Sequence, residues 1–494
     1  MAKLPSVTVN LDVSTGTDPR ASKPEADTPF RLLLMGDFSG RANRGEPAPS
    51  RWKPLLIDRD NFDAVLARIR PELALGGSSH RIVMQFRELD DFLPDRIYEQ
   101  CPIFEELRET RRKLRNPATF AQAAAAVKQW TGTAATPAPS APLPQKTGPT
   151  PVSAPAGGSL LENILAATQP EPAQVRHQPD DLHAFIQNTL GGHVTPGPDP
   201  ELPELLAQLD AAASRLMRAI LHDPNFQALE AGWRAVFWLV RGLETGPQLK
   251  LHILDVSKAD VAADLNASED PRSTAFYQLL VEPNTGVAPS EPWAVVASNF
   301  TFARTAEDAR TLQRLARLTR AAGAPFLAEA GLADFDSTDA ARIWNALRQA
   351  PEASWIGLLL PRFLLRLPYG SKTDPLESFS FEEMPGTPVH QHYLWGNPAF
   401  ACAYLLARSF SDEGWDLRPG VHSEIGGLPL HVYEVDAEQE AKPCAEMLMS
   451  ERDADWVLEQ GFMPLASVKN QDSIRLLRFQ SIAEPLTPLS CRWR

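Results

Sequence analysis

The chain of 494 residues carries 48 Lys and Arg against 62 Asp and Glu, a formal net charge of −14, with 43% hydrophobic residues, a pI near 5.3 and a mean hydropathy of −0.24. That length gives room for two or three domains with real cores, and the acidic balance excludes a nucleic-acid surface as the main business, because phosphate binding calls for clustered Lys and Arg. Cys101, Cys402, Cys444 and Cys491 stand far apart with no C-x-x-C pair, so neither a zinc site nor a disulfide framework is signalled and they read as reduced packing residues.

The opening MAKLPSVTVN lacks an apolar h-region, so no secretory signal or anchor is expected and the compartment is read as cytoplasmic. Residues 7 to 13, VTVNLDV, alternate apolar and polar like a half-buried strand with Val7, Val9, Leu11 and Val13 on one face. FRLLLMGDFSG (30 to 40) reads as a buried strand ending in a turn. Its Gly36 and Gly40 lack the G-x-x-x-x-G-K-[ST] spacing of a phosphate loop. RDNFDAVLARIRPEL puts Phe62, Val65, Leu66 and Ile69 on one helical face and stops at Pro71, HRIVMQFREL is a further strand, and DDFLPD is a turn in which Asp90 and Asp91 do loop chemistry rather than act as paired catalytic acids. A helix is predicted over 95 to 114. From 131 to 158 come Pro137, Pro139, Pro142, Pro144, Pro149, Pro151 and Pro155 among Ala, Ser, Thr and Gly, with Lys146 the only charge. Such a segment cannot bury a core and is expected to act as an extended tether.

Beyond the tether, PELLAQLDAAASRLMRAILH sets Leu205, Leu209, Ala212, Leu216 and Ile220 on one helical stripe. Asp223 can cap the next helix with Pro224 at its first position. Phe226, Trp233, Phe237 and Trp238 on that helix read as core, since no basic companions suit them to stacking on bases. LKLHILDVS and WAVVASNFTFA are strands. Between Thr305 and Gly323 lies a helix whose capping threonine, early Glu307 and Asp308, late Arg317 and Arg320 and exit glycine all complement its dipole. APFLAEA resumes a strand, making this half α/β around a largely buried sheet.

Residues 355 to 370, WIGLLLPRFLLRLPYG, are too short and too charged to span a bilayer and read as a buried strand bounded by prolines. Its two guanidinium groups need partners, because an unpaired buried Arg costs several kcal/mol; Arg362 and Arg366 are expected to form structural ion pairs with Glu382 and Glu383, or else to reach a neighbouring subunit. His390 and His392 have ligand-like spacing on a strand but no third donor at supporting distance. No Ser, Cys or His triad can be assembled, and an enzyme would rest on the α/β pattern alone.

Taken in order, TPFRLLLMGDFSGR and FRELDDFLPDRIYEQCPIFEELRETRRKL resemble the small subunit of the contractile sheath of bacterial type VI secretion systems. ILHDPNFQALEAGWRAVFWLV, LHILDVSKADV, WIGLLLPRFLLRLPYG, HYLWGNPAFACAYLL and GFMPLASVKN resemble the large subunit. The resemblance runs from about residue 7 to about residue 482 and leaves only the tether unmatched. It implies two α/β sheath-type domains joined by a Pro/Ala-rich linker: a small-subunit-like domain over 1–130, the linker over 131–158 and a large-subunit-like domain over 159–494. It further implies a structural protein with no cofactor, assembling by intersubunit strand exchange, with other sheath subunits or copies of itself as partners. An inner tube, baseplate components and a AAA+ recycling ATPase, engaging a helix near residues 160 to 167, complete the set; neither nucleic acid nor membrane insertion belongs to it. The chain departs from the family pattern in joining two subunits normally separate, in replacing the small subunit's C-terminal region with the tether, and in stopping soon after GFMPL. Those departures motivate the alternative of a non-polymerising adaptor or terminator at the baseplate or sheath end.

Overall fold

The computed structural model describes residues 23–48, 52–76, 82–116, 118–132, 202–282 and 291–493. The strand expected at Val7, Val9, Leu11 and Val13, nearly all of the tether and the helix expected at 160–167 lie outside the described residues.

Before the tether come β1 (Phe30–Gly36), α1 (Arg41–Arg44), β2 (Leu55–Ile57), α2 (Phe62–Ile69), β3 (Glu72–Leu75), β4 (Ile82–Gln85), α3 (Pro94–Gln100), α4 (Glu105–Arg115) and α5 (Phe120–Gly132). The single helix predicted over 95–114 is broken into α3, a 3-10 turn (Pro102–Phe104) and α4. Pro102 has no N–H to give to the carbonyl of Tyr98 four residues back, so the helix cannot run through. The Arg108 guanidinium donates to that carbonyl instead.

After the tether come α6 (Leu202–Leu221) and, two residues on, α7 (Pro224–Gly242). All five residues of the predicted α6 stripe are buried, and the Asp223 carboxylate accepts the N–H groups of Asn225 and Phe226, which holds the first turn of α7. There follow β5 (Leu249–Asp255), α8 (Lys258–Asn266), α9 (Ala275–Leu280), β6 (Trp293–Phe302), α10 (Ala306–Ala322), β7 (Phe326–Ala330), α11 (Thr338–Gln349), β8 (Ile356–Leu360), β9 (Phe363–Leu364), β10 (Trp395–Gly396), α12 (Pro398–Glu413), β11 (Glu424–Ile425), β12 (His431–Val435), β13 (Glu438–Lys442), α13 (Glu451–Glu459), β14 (Met463–Ser467) and β15 (Ile474–Leu476). Helix α10 is capped as its sequence predicts: the Thr305 hydroxyl accepts the Asp308 N–H, and Gly323 leaves in the left-handed region at φ 66°.

One nine-stranded sheet organises the protein, in the order β11-β15-β14-β8-β7-β6-β1-β5-β2. The six strands from β14 to β5 are parallel. Helices cover both faces of such a core, so its strands read as continuous apolar runs. Strand β1 is interior to the sheet: Leu32 pairs with Leu251 of β5 on one side and Val295 of β6 on the other. Thus a strand from before the tether is hydrogen-bonded between two strands from after it, and the boundary in sequence is crossed by the sheet. The period-two alternation of β1 divides its side chains between two cores. Phe30, Leu32 and Leu34 face the side covered by α6, α7 and α12, while Leu33 and Met35 face that of α9, α10 and α11. The same cross-tether packing continues outside the sheet, where the Trp233 indole donates to the carbonyl of Phe38 at 2.8 Å and Phe92 lies 5.9 Å from Phe226, ring to ring.

Candidate functional site

Helix α7 buries the face carrying Phe226, Leu229, Trp233 and Val240, and Glu230 sits on that same face, fully buried. A carboxylate there must be paired to be tolerated. Arg366, in the chain following β9, reaches it through Nε at 2.8 Å and Nη2 at 3.3 Å, and meets Glu383 with its other edge at 2.7 and 3.1 Å. Arg234, one turn on from Glu230, donates to it at 2.6 Å and to the Tyr369 hydroxyl at 2.9 Å. The Tyr369 ring stacks under Arg366, 4.3 Å from the guanidinium carbon. Two carboxylates face two guanidinium groups, so the formal charges cancel within the buried set. Burial alone would raise the Glu383 carboxyl, but Arg366 outweighs it, with the His222 contact and the Tyr369 N–H helping to hold the group down to about 2.

Arg362 belongs to a separate cluster. Its Nε donates to Glu446 at 2.9 Å, Glu329 lies 3.8 Å away, and His390 joins Glu446 at 3.2 Å while receiving Lys442 at 3.0 Å. Burial would raise Glu446, yet the His390 and Arg362 contacts bring it to about 2. Of the two glutamates expected beside the arginines, Glu383 meets Arg366. Glu382 is elsewhere, its carboxylate accepting the N–H and hydroxyl of Ser371. Sequence reading missed Glu230 and Glu446. An acid on the apolar stripe of α7, one position after Leu229, was a usable sign of the first; nothing periodic marks the second.

The remaining candidates resolve into structure. Both carboxylate oxygens of Asp37 accept N–H groups at the start of α1, so an acid occupies the place where a phosphate loop would hold its anion. Gly40, at φ 71°, could not carry a Cβ, which would stand 2.6 Å from the Glu72 carbonyl oxygen. Asp91 accepts the N–H groups of Arg87 and Glu88 and ties the turn. His390 and His392 lie in a 3-10 turn (His390–His392) rather than on the strand expected, because their stretch is held by side chains and not by a ladder: His390 is bound to Glu446, and His392 stacks on His222 at 3.7 Å with planes 8° apart. Among the described residues no group of three or more His, Cys, Asp or Glu is arranged to hold a metal ion, and no helix is long and apolar enough to cross a membrane.

Two half-buried histidines, His392 and His252, make stability depend on pH. Burial and the neighbouring His222 push His392 down to about 4, and burial with Arg31 and Lys250 does the same to His252. Both groups titrate near 6.5 in the unfolded chain, so between pH 6.5 and 4 the unfolded state binds more protons and stability falls as pH drops. Glu383 and Glu446 extend the loss below about pH 4.5, because protonation must work against their depressed values. The urea midpoint is expected to be lower at pH 5 than at pH 7.5, and His392→Phe, which keeps the stack without the proton, is expected to narrow the gap. Equal midpoints for the unaltered chain would contradict this reading.

Among the described residues, two outer strands carry exposed apolar side chains. Strand β2 ends the large sheet with Leu56 47% exposed, and β4 of the β3–β4 hairpin leaves Val83 47% exposed. The buried charges are spent on one another within an α/β scaffold. The comparisons with known proteins give that scaffold a family. The profile of the VipB family (EvpB/VC_A0108, tail sheath N-terminal domain) matches residues 203–343 and 332–483, more than half of the chain, and that of the type VI secretion system VipA family (VC_A0107 or Hcp2) matches residues 2–130. The chain belongs to the VipB tail sheath family and carries a VipA region ahead of it. It is 32% identical to the type VI secretion system sheath protein TssC1 of Pseudomonas aeruginosa over 326 residues, 61% of this chain and 65% of that protein. To the sheath protein TssB1 of the same organism it is 27% identical over 125 residues, 24% of this chain and 70% of that protein. The chain therefore spans somewhat under two thirds of the length of TssC1.

Proposed function

We propose that this chain is a structural subunit of a bacterial type VI secretion contractile sheath, in which small-subunit-like residues 1–130 and large-subunit-like residues 159–494 are joined by the linker over 131–158. The composite sheet supports this most. The region matching VipA supplies β1 between β5 and β6, and β2 at the edge beyond β5, of a sheet whose other strands come from the region matching VipB, so one polypeptide holds an interlocked pair of the kind that two sheath proteins could form. The linker makes that pairing intramolecular and sets the stoichiometry at one to one.

In this reading the protein works mechanically and makes no covalent bond. Strands lent between subunits complete a neighbour's sheet through main-chain hydrogen bonds, and contraction proceeds as rigid subunits rotate about those connections. Its partners are other sheath subunits or copies of itself, with the inner tube, baseplate components and a AAA+ recycling ATPase as further contacts in the cytoplasm. Val7, Val9, Leu11 and Val13 form the lent strand. Deleting residues 2–14 is expected to abolish high-mass assemblies in sedimentation velocity while leaving the urea midpoint unchanged, since no described core residue is removed. Undiminished assembly would count against strand lending.

A further inference from the structure

Four of the ten histidines, drawn from three distant parts of the chain, meet at the base of the β12–β13 hairpin. The hairpin is a two-stranded sheet of its own. Its first rung pairs His431 with Lys442, and beyond that rung Val432 is 51% exposed and Glu434, Glu438, Gln439 and Glu440 lie in solvent. Both members of the rung are tied to the turn His390–His392 and the residue after it. Lys442 Nζ donates to His390 Nδ1 at 3.0 Å and lies 5.5 Å from the ring centres of Tyr393 and Trp395, while His431 Nδ1 and the Tyr393 hydroxyl are 2.7 Å apart. The turn itself is seated by His392 against His222, at the corner between α6 and α7, and by Gln227 of α7, whose amide donates to the Gln391 carbonyl.

These ties depend on uncharged imidazoles. An ammonium group only donates, so His390 Nδ1 must offer its lone pair to Lys442, and Nε2 carries the hydrogen that it gives to Glu446 at 3.2 Å. A second proton on that ring turns the acceptor into a donor aimed at Lys442, whereas the bond to Glu446 survives and gains charge. The proton and Lys442 thus compete for one place beside Glu446, which keeps Arg362 in either case. His392 faces His222, whose Nε2 stands 3.7 Å from Glu383, and charge on both rings would set two cations 3.7 Å apart. His431 faces Tyr393, the Tyr433 ring at 5.5 Å and, at longer range, Glu383; burial outweighs that carboxylate and pushes it down. Glu383 and Glu446, held near 2, stay ionised while the histidines take up protons.

We infer that the β12–β13 hairpin is a proton-released arm: acid frees it from the turn at its base while the nine-stranded sheet remains formed. Release uncovers the small apolar cluster of Leu364, Tyr393 and Trp395. A lone two-stranded hairpin is marginally stable in water, so an arm that lifts also loses the protection of its own amides. His252 stands apart from this joint on β5, with Arg31, Lys250 and Glu291 around it, and its titration acts on the sheet.

Hydrogen exchange of the full chain at pH 7.5 and pH 4.5, with labelling times scaled for the intrinsic exchange rate, is the test. Protection of peptides covering residues 431–442 is expected to fall by about tenfold relative to peptides from β1, β6 and β7, the signature of local opening. His390→Gln keeps an acceptor for Lys442 and a donor for Glu446 but takes no proton, and Lys442→Gln removes the charge that the proton displaces. Both variants are expected to shrink the fall. Equal loss of protection in hairpin and sheet, unchanged protection of the hairpin, or the full fall in both variants overturns the inference.

Discussion

Residues 159–494 expressed alone are expected to yield no stably folded protein, and supplying residues 1–158 on a second polypeptide is expected to restore it. The reason is the position of β1. Without it, β5 and β6 face each other across a missing strand, and each loses the ladder it makes with Phe30–Gly36. Phe30, Leu32, Leu33, Leu34 and Met35 are all fully buried, and burying a side chain of this size contributes about 1.5–3 kcal/mol. Five of them amount to roughly 10 kcal/mol, comparable with the whole net stability of about 5–15 kcal/mol typical of a folded domain. The loss falls on both cores at once, because alternate residues of β1 belong to opposite faces. Cutting the tether of the intact chain is expected to do far less, since the pieces stay interlocked. Circular dichroism and hydrogen exchange of the two polypeptides decide the matter: a cooperative unfolding transition and protected β5 and β6 amides in residues 159–494 alone would contradict the account.

Arg366→Met is expected to cost about 3–5 kcal/mol, the range for removing one partner of a buried ion pair. Glu230 and Glu383 are both fully buried; the first would then keep Arg234, and the second would be left with the Tyr369 N–H and the His222 contact. The cost arises from the uncompensated charge rather than from the lost contact. Adding Glu383→Gln to Arg366→Met is therefore expected to recover part of the stability, a non-additive result that contact loss alone would not produce. Glu382→Gln, one residue away, is expected to stay within about 0.5 kcal/mol, the usual scale of surface changes, because the exposed Glu382 carboxylate binds the Ser371 turn and its bond from Arg218 is made by the main-chain carbonyl, which the change keeps. Urea unfolding of these three variants and of Glu383→Gln alone supplies the comparison. Equal effects at positions 382 and 383 would refute the assignment.

Much of the local structure was legible because its determinants are local. The apolar run at 30–36, the capping Asp223 and Thr305, the exit glycine at 323 and the stripe from Leu205 to Ile220 all act within one element, and each does in the fold what its pattern implies. The break at Pro102 was equally local, yet the strong amphipathic signal on both sides masked it. The order of strands was not legible. Nothing in FRLLLMG states that its neighbours come more than 200 residues later, since any two buried parallel strands present similar apolar sequences. The ion-pair sites were half legible for the same reason. Two arginines in an apolar run demand acids, but hydropathy does not say which acids the fold brings near, and Glu230 and Glu446 arrive from elements far away in the chain.

Negative-stain electron microscopy of the purified full chain tests the central claim most directly, the claim that this interlocked scaffold exists to join copies of itself through backbone. Hollow tubes of regular helical repeat from the full chain, and only dispersed particles once residues 2–14 are removed, are the predicted result. Single dispersed copies of the full chain at every concentration, alone and with separate sheath subunits, would contradict it.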